Sequence, residues 1–257
     1  MMNFVKRNRS APEGFFAAEA AGLQWLSEAR DGVPCARVIA VDDQSLTLER
    51  LTTSPPSAAA AHEFGARLAR THAAGADGFG SAPSGWGGPG FFGPLHRPLP
   101  MSYSRGDSWG AYYAAHRLAP MVTAAAPLLD GDTRSAVDAV INRCDAGEFD
   151  DADVPCRLHG DLWSGNVMWT PRGVVLVDPA AHGGHRETDL AMLALFGCPH
   201  LDAVIDGYQA QHPLRAGWHA RVGLHQLFPL LAHVVLFGAG YVGQTRAAAV
   251  GALAGLS

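Results

Sequence analysis

Three side chains carry oxygen atoms of the kind that hold a cation or take up a proton, and they lie close together in the chain. Asp161 closes the tripeptide His159-Gly160-Asp161, Asn166 follows five residues later, and Asp178 ends the apolar run 174–177. Phosphoryl transfer asks for such a set: a carboxylate beside the attacking hydroxyl, and an amide oxygen plus a second carboxylate to hold Mg²⁺ against the phosphates of a nucleotide. Asp161 suits the first role, Asn166 and Asp178 the second. Each fragment alone is ordinary loop chemistry. The joint pattern of HGD, a spaced Asn, a short gap and an apolar strand ending in Asp is specific. His159 reads as a residue that orients the loop by a hydrogen bond, and Asp189, at the start of a helix, as one that locks it. Trp163 is either a core residue or a platform for a sugar or amine beside the transferred phosphate.

These residues need elements to position them. The front of the chain reads as a strand around 3–6, a helix over 15–29 with Phe15, Phe16, Leu23 and Leu26 on its apolar side, and two strands at 37–41 and 45–51 joined at Asp42-Asp43. Lys6 on the first strand and Glu19 on the helix form a candidate pair for orienting nucleotide phosphates. Glu49 and Leu51 fall where the strand-rich part runs into the break Ser54-Pro55-Pro56-Ser57, and their backbone groups are placed to read an adenine edge. Beyond the break the pattern is mainly helical, over 57–73, 108–129, 133–147, 186–196 and 221–242, interrupted by short strands at 167–169 and 174–178. The class is α+β, with a nucleotide-side lobe over 1–53, a helical lobe over 54–257, and a cleft between them.

Residues 75–93, GADGFGSAPSGWGGPGFFG, look like a phosphate loop but lack the flanking strand and helix that aim N–H groups at an anion. They read as a flexible surface loop, or as a loop covering the substrate side of the cleft through Trp86 and its neighbouring phenylalanines. The net charge of −5 comes without any long basic stripe, so no nucleic-acid partner is expected. Cys35, Cys144, Cys156 and Cys198 are scattered and form no CxxC pair, which suits free thiols in a reducing cytoplasm rather than zinc or disulfides. His159, His182 and His185 lack metal-ligand spacing. The most apolar stretch, 222–242, contains His225, Gln226, Pro229 and His233, so it reads as a buried helix and no membrane partner is expected.

With these residues in place, the chain resembles the fructosamine (ketosamine) kinases, within the wider group of aminoglycoside and choline phosphotransferases that share the protein-kinase-like fold. HGDLWSGN and VDPAAHGGHRETDLAMLALFG carry the resemblance most specifically, and FVKRN, FFAAEAAGLQWL, LTLERL, FFGPL, SWGAYYAAHRLAP and LHQLFPLLAHVVLFGAGY extend it along nearly the whole chain. It implies an ATP- and Mg²⁺-dependent kinase that phosphorylates a sugar hydroxyl of a small-molecule or protein-bound ketoamine, after which the adduct decomposes and frees the amine. It further implies Asp161 as base, Asn166 and Asp178 as metal ligands, and Lys6 with Glu19 as the phosphate-positioning pair. The family has two more strands and a Gly-rich turn before the VK strand, whereas five residues precede Lys6 here. The expectation is therefore a truncated nucleotide-side lobe. Alternatives are an aminoglycoside or amino-alcohol kinase of the same fold, and a truncated, weakly active or inactive pseudokinase.

Overall fold

The computed structural model describes residues 3–255. It begins with strand β1 (Asn3–Arg7), helix α1 (Phe15–Ser27), and strands β2 (Val38–Asp42) and β3 (Ser45–Glu49). These strands form an antiparallel sheet in the order β1-β3-β2, with Lys6 opposite Leu46 and Phe4 opposite Leu48. Leu46 and Leu48 alternate with half-buried neighbours and point into the core, as the period of a one-sided sheet requires. Among the described residues β1 and β2 are edges, and Phe4, Val5, Ile39 and Val41 on them are exposed.

Helix α2 (Ala58–Ala73) starts where the Pro-Pro break predicts, with the Ser57 hydroxyl accepting from the Ala60 N–H as an N-cap. The hairpin β4 (Gly90–Phe92) and β5 (Leu99–Met101) follows, then α3 (Trp109–Tyr113), α4 (Ala119–Ala125) and α5 (Gly131–Asp145). The single helix expected over 108–129 is instead broken by a π-helical turn over Ala114–Leu118, after which Pro120 opens α4.

Two strand pairs and their loops then build the floor of the cleft. Strand β6 (Cys156–Leu158) pairs with β9 (His182–Gly184), and β7 (Val167–Thr170) forms a hairpin with β8 (Gly173–Leu176). Helices α6 (Glu187–Leu195), α7 (Leu201–Gln211), α8 (Trp218–Phe237) and α9 (Val242–Ala254) complete the chain. Sequence patterning did not anticipate β4, β5, β6, β9, α7 or α9.

Two apolar clusters hold these parts. One joins Phe16, Leu23 and Leu46 at the front to Phe64, Leu176, Leu190 and Val204 behind the Pro-Pro break. The other packs Trp109, Tyr113, Val137 and Val140 against Leu227, Leu231 and Ala249. Helix α8 is apolar and long enough to cross a membrane by length and composition, but Leu227, Phe228, Leu231 and Ala232 at its centre are buried in this second cluster. Pro229 has no N–H to offer the preceding turn. Tyr113 inserts at this break: its hydroxyl lies 3.5 Å from the His225 carbonyl that Pro229 leaves free, donates to the Leu224 carbonyl at 2.9 Å and accepts from the Phe228 N–H at 3.1 Å.

Segment 75–93 is not a free surface loop. Backbone bonds tie Gly80 to the Gly183 carbonyl, Gly183 to the Ser81 carbonyl, and Phe79 to Gly106, and Phe79 and Phe92 are buried. Around Gly78 and Gly80 the glycines serve close backbone contact with β9: a Cβ on Gly183 would lie 2.2 Å from the Gly78 carbonyl.

Candidate active site

Asp161 and Asn166 lie on the loop between β6 and β7, and Asp178 lies between β8 and β9. Pairing of these strands brings all three to one end of a single cleft of about 560 Å³, together with Lys6 and Glu19 from the front. The Asn166 Nδ2 donates to the Asp161 carbonyl at 2.8 Å, and it lies 3.4 Å from the Asp161 carboxylate and 3.3 Å from the Asp178 carbonyl. With its nitrogen committed to these oxygens, the amide oxygen of Asn166 is left over for a cation. The Val177 N–H donates to the Asn166 carbonyl at 3.2 Å and fixes the distance between loop and hairpin.

Asp189 locks the loop. Its carboxylate accepts from the His159 N–H at 2.8 Å, the Gly160 N–H at 2.9 Å and the His72 Nε2–H at 3.1 Å. Burial pushes this carboxyl up, but these hydrogen bonds and the neighbouring imidazoles outweigh it and hold the carboxyl below its usual range. His72 is steadied in turn by the Tyr208 hydroxyl at 2.8 Å from Nδ1. His159 donates from Nε2 to the Val177 carbonyl at 2.9 Å, linking the catalytic loop to the strand that carries Asp178. Gly160 sits at φ +82°, and a Cβ there would lie 2.2 Å from the Ala180 carbonyl, so only glycine permits the turn before Asp161.

Lys6 Nζ lies 2.8 and 2.7 Å from the two Glu19 oxygens and 3.0 Å from the Asp178 carboxylate. Burial alone would lower the lysine pKa, but the two carboxylates outweigh it and raise it. Glu19 is pushed above the ordinary carboxyl range by burial and by Asp178, against the pull of Lys6. Asp161 is pushed up to about 7, first by burial and then by the charges of Asp178 and Asp189. A carboxyl poised there suits general base work near neutrality. Asp178 is half-exposed and held at φ +56°, a left-handed conformation a non-glycine residue seldom adopts and one that aims its carboxylate at the cleft.

Trp163 lines the same cleft and is 40% exposed. Its ring lies over Gly165, where a Cβ would come within 2.3 Å of the indole. Trp86 does not line this cleft. Its Nε1 donates to the Pro89 carbonyl at 3.0 Å, and Phe91 and Phe92 of the same segment reach the cleft instead. Glu49 and Leu51 also lie outside the cleft lining. The Glu49 N–H is taken by the Arg37 carbonyl at 3.0 Å, which removes it as a donor to a base, and Leu51 packs at the edge of the front core cluster.

Sequence reading missed His72 and Tyr208, and it missed the far wall of the cleft, where Phe196, His233, Phe237 and Tyr241 gather. The recurrence of aromatic rings at 233, 237 and 241, one helical turn apart, was the available signal for that wall.

The family model described as fructosamine kinase matches residues 2–253. A probable ketoamine kinase of Synechocystis sp. is 33% identical over 95% of this chain and 80% of its own length, and one from Thermus thermophilus is 35% identical over 93% and 83%. The crystal structure of a candidate fructosamine-3-kinase from Thermobifida fusca superposes with a TM-score of 0.89 at 44% identity, over 98% of this chain and 85% of that one. An aminoglycoside phosphotransferase in ternary complex with ADP and hygromycin B, at 18% identity and a TM-score of 0.60, shares the fold. The chain belongs to the fructosamine kinase family and is a phosphotransferase on the protein-kinase-like fold.

Proposed function

We propose that this protein transfers the γ-phosphate of ATP to a sugar hydroxyl of a ketoamine, in the cytoplasm, and that decomposition of the phosphorylated adduct frees the amine, a deglycation step. The observation that carries the reading is the convergence of Asp161, Asn166, Asp178 and the Lys6–Glu19 pair on one end of one cleft. Asp161 takes the proton of the attacking hydroxyl, its raised pKa matched to that role. Lys6, held by Glu19, places its ammonium where the α- and β-phosphates lie.

The donor set fits Mg²⁺. The free amide oxygen of Asn166 and the half-exposed carboxylate of Asp178 are hard oxygen ligands, too few for an all-protein cage, and they leave positions for phosphates and water. Bound there, the ion would neutralise charge on the transferring phosphoryl group. Trp163 forms a platform beside Asp161 for the sugar.

The experiment is a coupled ADP-release assay with fructose-lysine, ribulose-lysine and an aminoglycoside as acceptors, with free amine measured afterwards. Turnover of a ketoamine followed by amine release is the expected result. Turnover of the aminoglycoside alone would assign the chain to a different small-molecule kinase of this fold.

A further inference from the structure

The cleft has two ends of opposite character. Lys6, Glu19, Asp161 and Asp178 crowd one end, and the other is walled by rings. There the imidazole of His233 stands 4.8 Å from Phe196, 5.1 Å from Phe237 and 5.0 Å from Tyr241, ring centre to ring centre. These rings are held apart in sequence yet brought together by the ends of α6 and α8. Phe196 terminates α6, His233 and Phe237 lie one turn apart on α8, and Gly238, at φ +96°, breaks α8 so that Tyr241 folds back over His233. Phe196 is 37% and Phe237 55% exposed, a large apolar surface left open at the mouth of a cleft.

The hydrogen bonding of His233 fixes what this end can recognise. Its Nδ1 lies 2.6 Å from the Pro229 carbonyl. A carbonyl only accepts, so Nδ1 carries the proton. The neutral ring then presents Nε2 as an acceptor lone pair, among aromatic rings that line the cleft with it and present no charge. Burial, which lowers the imidazole pKa, keeps the ring in this neutral form. An acceptor atom set among aromatic faces is complementary to an N–H that carries positive charge: the lone pair takes the hydrogen bond and the ring quadrupoles attract the charge. Arg97, on the rim, is turned away to the Leu236 carbonyl at 3.1 Å.

Resting on the ketoamine reading, we infer that His233, with Phe237 and Tyr241, selects the acceptor by its protonated secondary amine, accepting that N–H at Nε2 and surrounding it with ring faces. The selected class is a cationic sugar amine whose nitrogen substituent is apolar or extends out past Phe237. A sugar without the charged nitrogen is disfavoured. The carboxylates of the cleft stay free for the hydroxyl and the metal.

The test compares a ketoamine with its isostere in which an ether oxygen replaces the amine nitrogen. KM and kcat are measured by ADP release for the parent, His233→Leu, His233→Gln and Phe237→Leu. Phe237 is half-exposed, so its variant should fold even if His233→Leu is impaired. The parent should favour the ketoamine about tenfold or more, the size a charge-assisted hydrogen bond within an aromatic site supplies. His233→Leu and Phe237→Leu should remove most of that preference by raising KM for the ketoamine. KM for the ether isostere and for ATP should stay as they are. His233→Gln, which keeps an acceptor, should recover part of it. Equal use of both acceptors by the parent, or a preference that survives both Leu variants, overturns the inference and leaves ketoamine phosphorylation standing. Failure of the parent to phosphorylate either compound defeats the ketoamine reading and this inference with it.

Discussion

Two of the buried groups of ionisable residues in this structure answer burial in opposite ways. At the cleft, Asp161 is pushed up to about 7 and Glu19 is raised, because burial and neighbouring carboxylates outweigh the single ammonium of Lys6. Behind it, around the start of α6, Glu187 is also buried yet held down at about 2. Burial raises it, but the hydrogen bonds and charges of His225 and Arg221 more than cancel that penalty. Arg221 grips both oxygens of Glu187 at 2.8 and 2.6 Å. Nearby, Arg215 pairs with Asp151 at 2.7 Å and Arg186 with Asp153 at 2.9 Å. His185, Glu187 and His225 converge as metal ligands could, and so do Asp151, Asp153 and His185, but the arginines already supply the positive charge. A carboxylate with its own guanidinium is structure. A cluster of carboxylates with one ammonium between them is waiting for charge from outside, which is what a metal and an acceptor hydroxyl bring.

The sharpest way to break this contrast is at Asp161. Asp161→Asn should lower turnover roughly 10²–10⁴-fold, the range of a lost general base. The fold should survive with no loss of thermal stability at pH 8 in the absence of metal, since the substitution removes a strained negative charge. Near-normal turnover would sink the assignment. Asp178→Ala should follow, with Mg·ATP binding weakened by roughly 10²-fold, as loss of a charged ligand implies. Calorimetry with and without Mg²⁺ checks it: affinity for Mg·ATP equal to the parent's would remove Asp178 from the metal site.

The compensated cluster predicts the reverse profile. Glu187→Gln should cost about 2 kcal/mol of stability, because it breaks a charge-assisted pair and leaves Arg221 with a weaker partner. Turnover per folded molecule should stay near the parent's. Denaturant unfolding beside an activity assay separates the two effects, and a large fall in kcat without a stability change would mean that this cluster serves the chemistry after all.

How much of this could be read from the chain follows from where each constraint is local. Asp161, Asn166 and Asp178 were legible because one short loop and one hairpin must deliver fixed residue types to one point. Lys6 and Glu19 were legible because strand and helix lie next to each other in sequence. The support of Asp189 by His72 and Tyr208 was not, since Tyr208 stands 136 residues from His72 and meets it only after α2 packs on α7. Helix α9, VGQTRAAAVGALA, has almost no amphipathic pattern to read, and tertiary packing of Ala249 and Ala252 makes it. Segment 75–93 misled for a physical reason as well: glycine signals flexibility and close backbone approach alike, and here it is close approach to β9 that governs.

The smallest expected effect concerns acid stability, and it isolates the compensated cluster by its sign. His225 is buried beside Glu187, with Thr188 Oγ1 3.0 Å from Nδ1 and the Glu187 carboxylate 3.6 Å from Nε2. Burial is the larger influence and lowers its pKa from 6.5 to about 4, against the pull of Glu187. A group depressed in the folded state contributes stability that is complete above its unfolded pKa and is lost as pH falls toward the folded one. His225 should therefore weaken the fold between pH 6.5 and about 4, while Glu187, depressed from 4.5 to about 2, adds its own loss mainly below pH 4.5. Other buried histidines, such as His182 with a pKa near 3, decline over an overlapping range. The difference between the parent and His225→Gln is therefore the informative quantity. That difference should shift by about 1–2 kcal/mol in favour of the variant as pH falls from 7 to 4, since the variant has no imidazole to charge. Chemical denaturation at half-unit pH steps measures it. A difference that stays constant across the window would mean that His225 titrates as freely in the folded protein as in the unfolded chain, and that the cluster is more open to water than its packing against Trp109 implies.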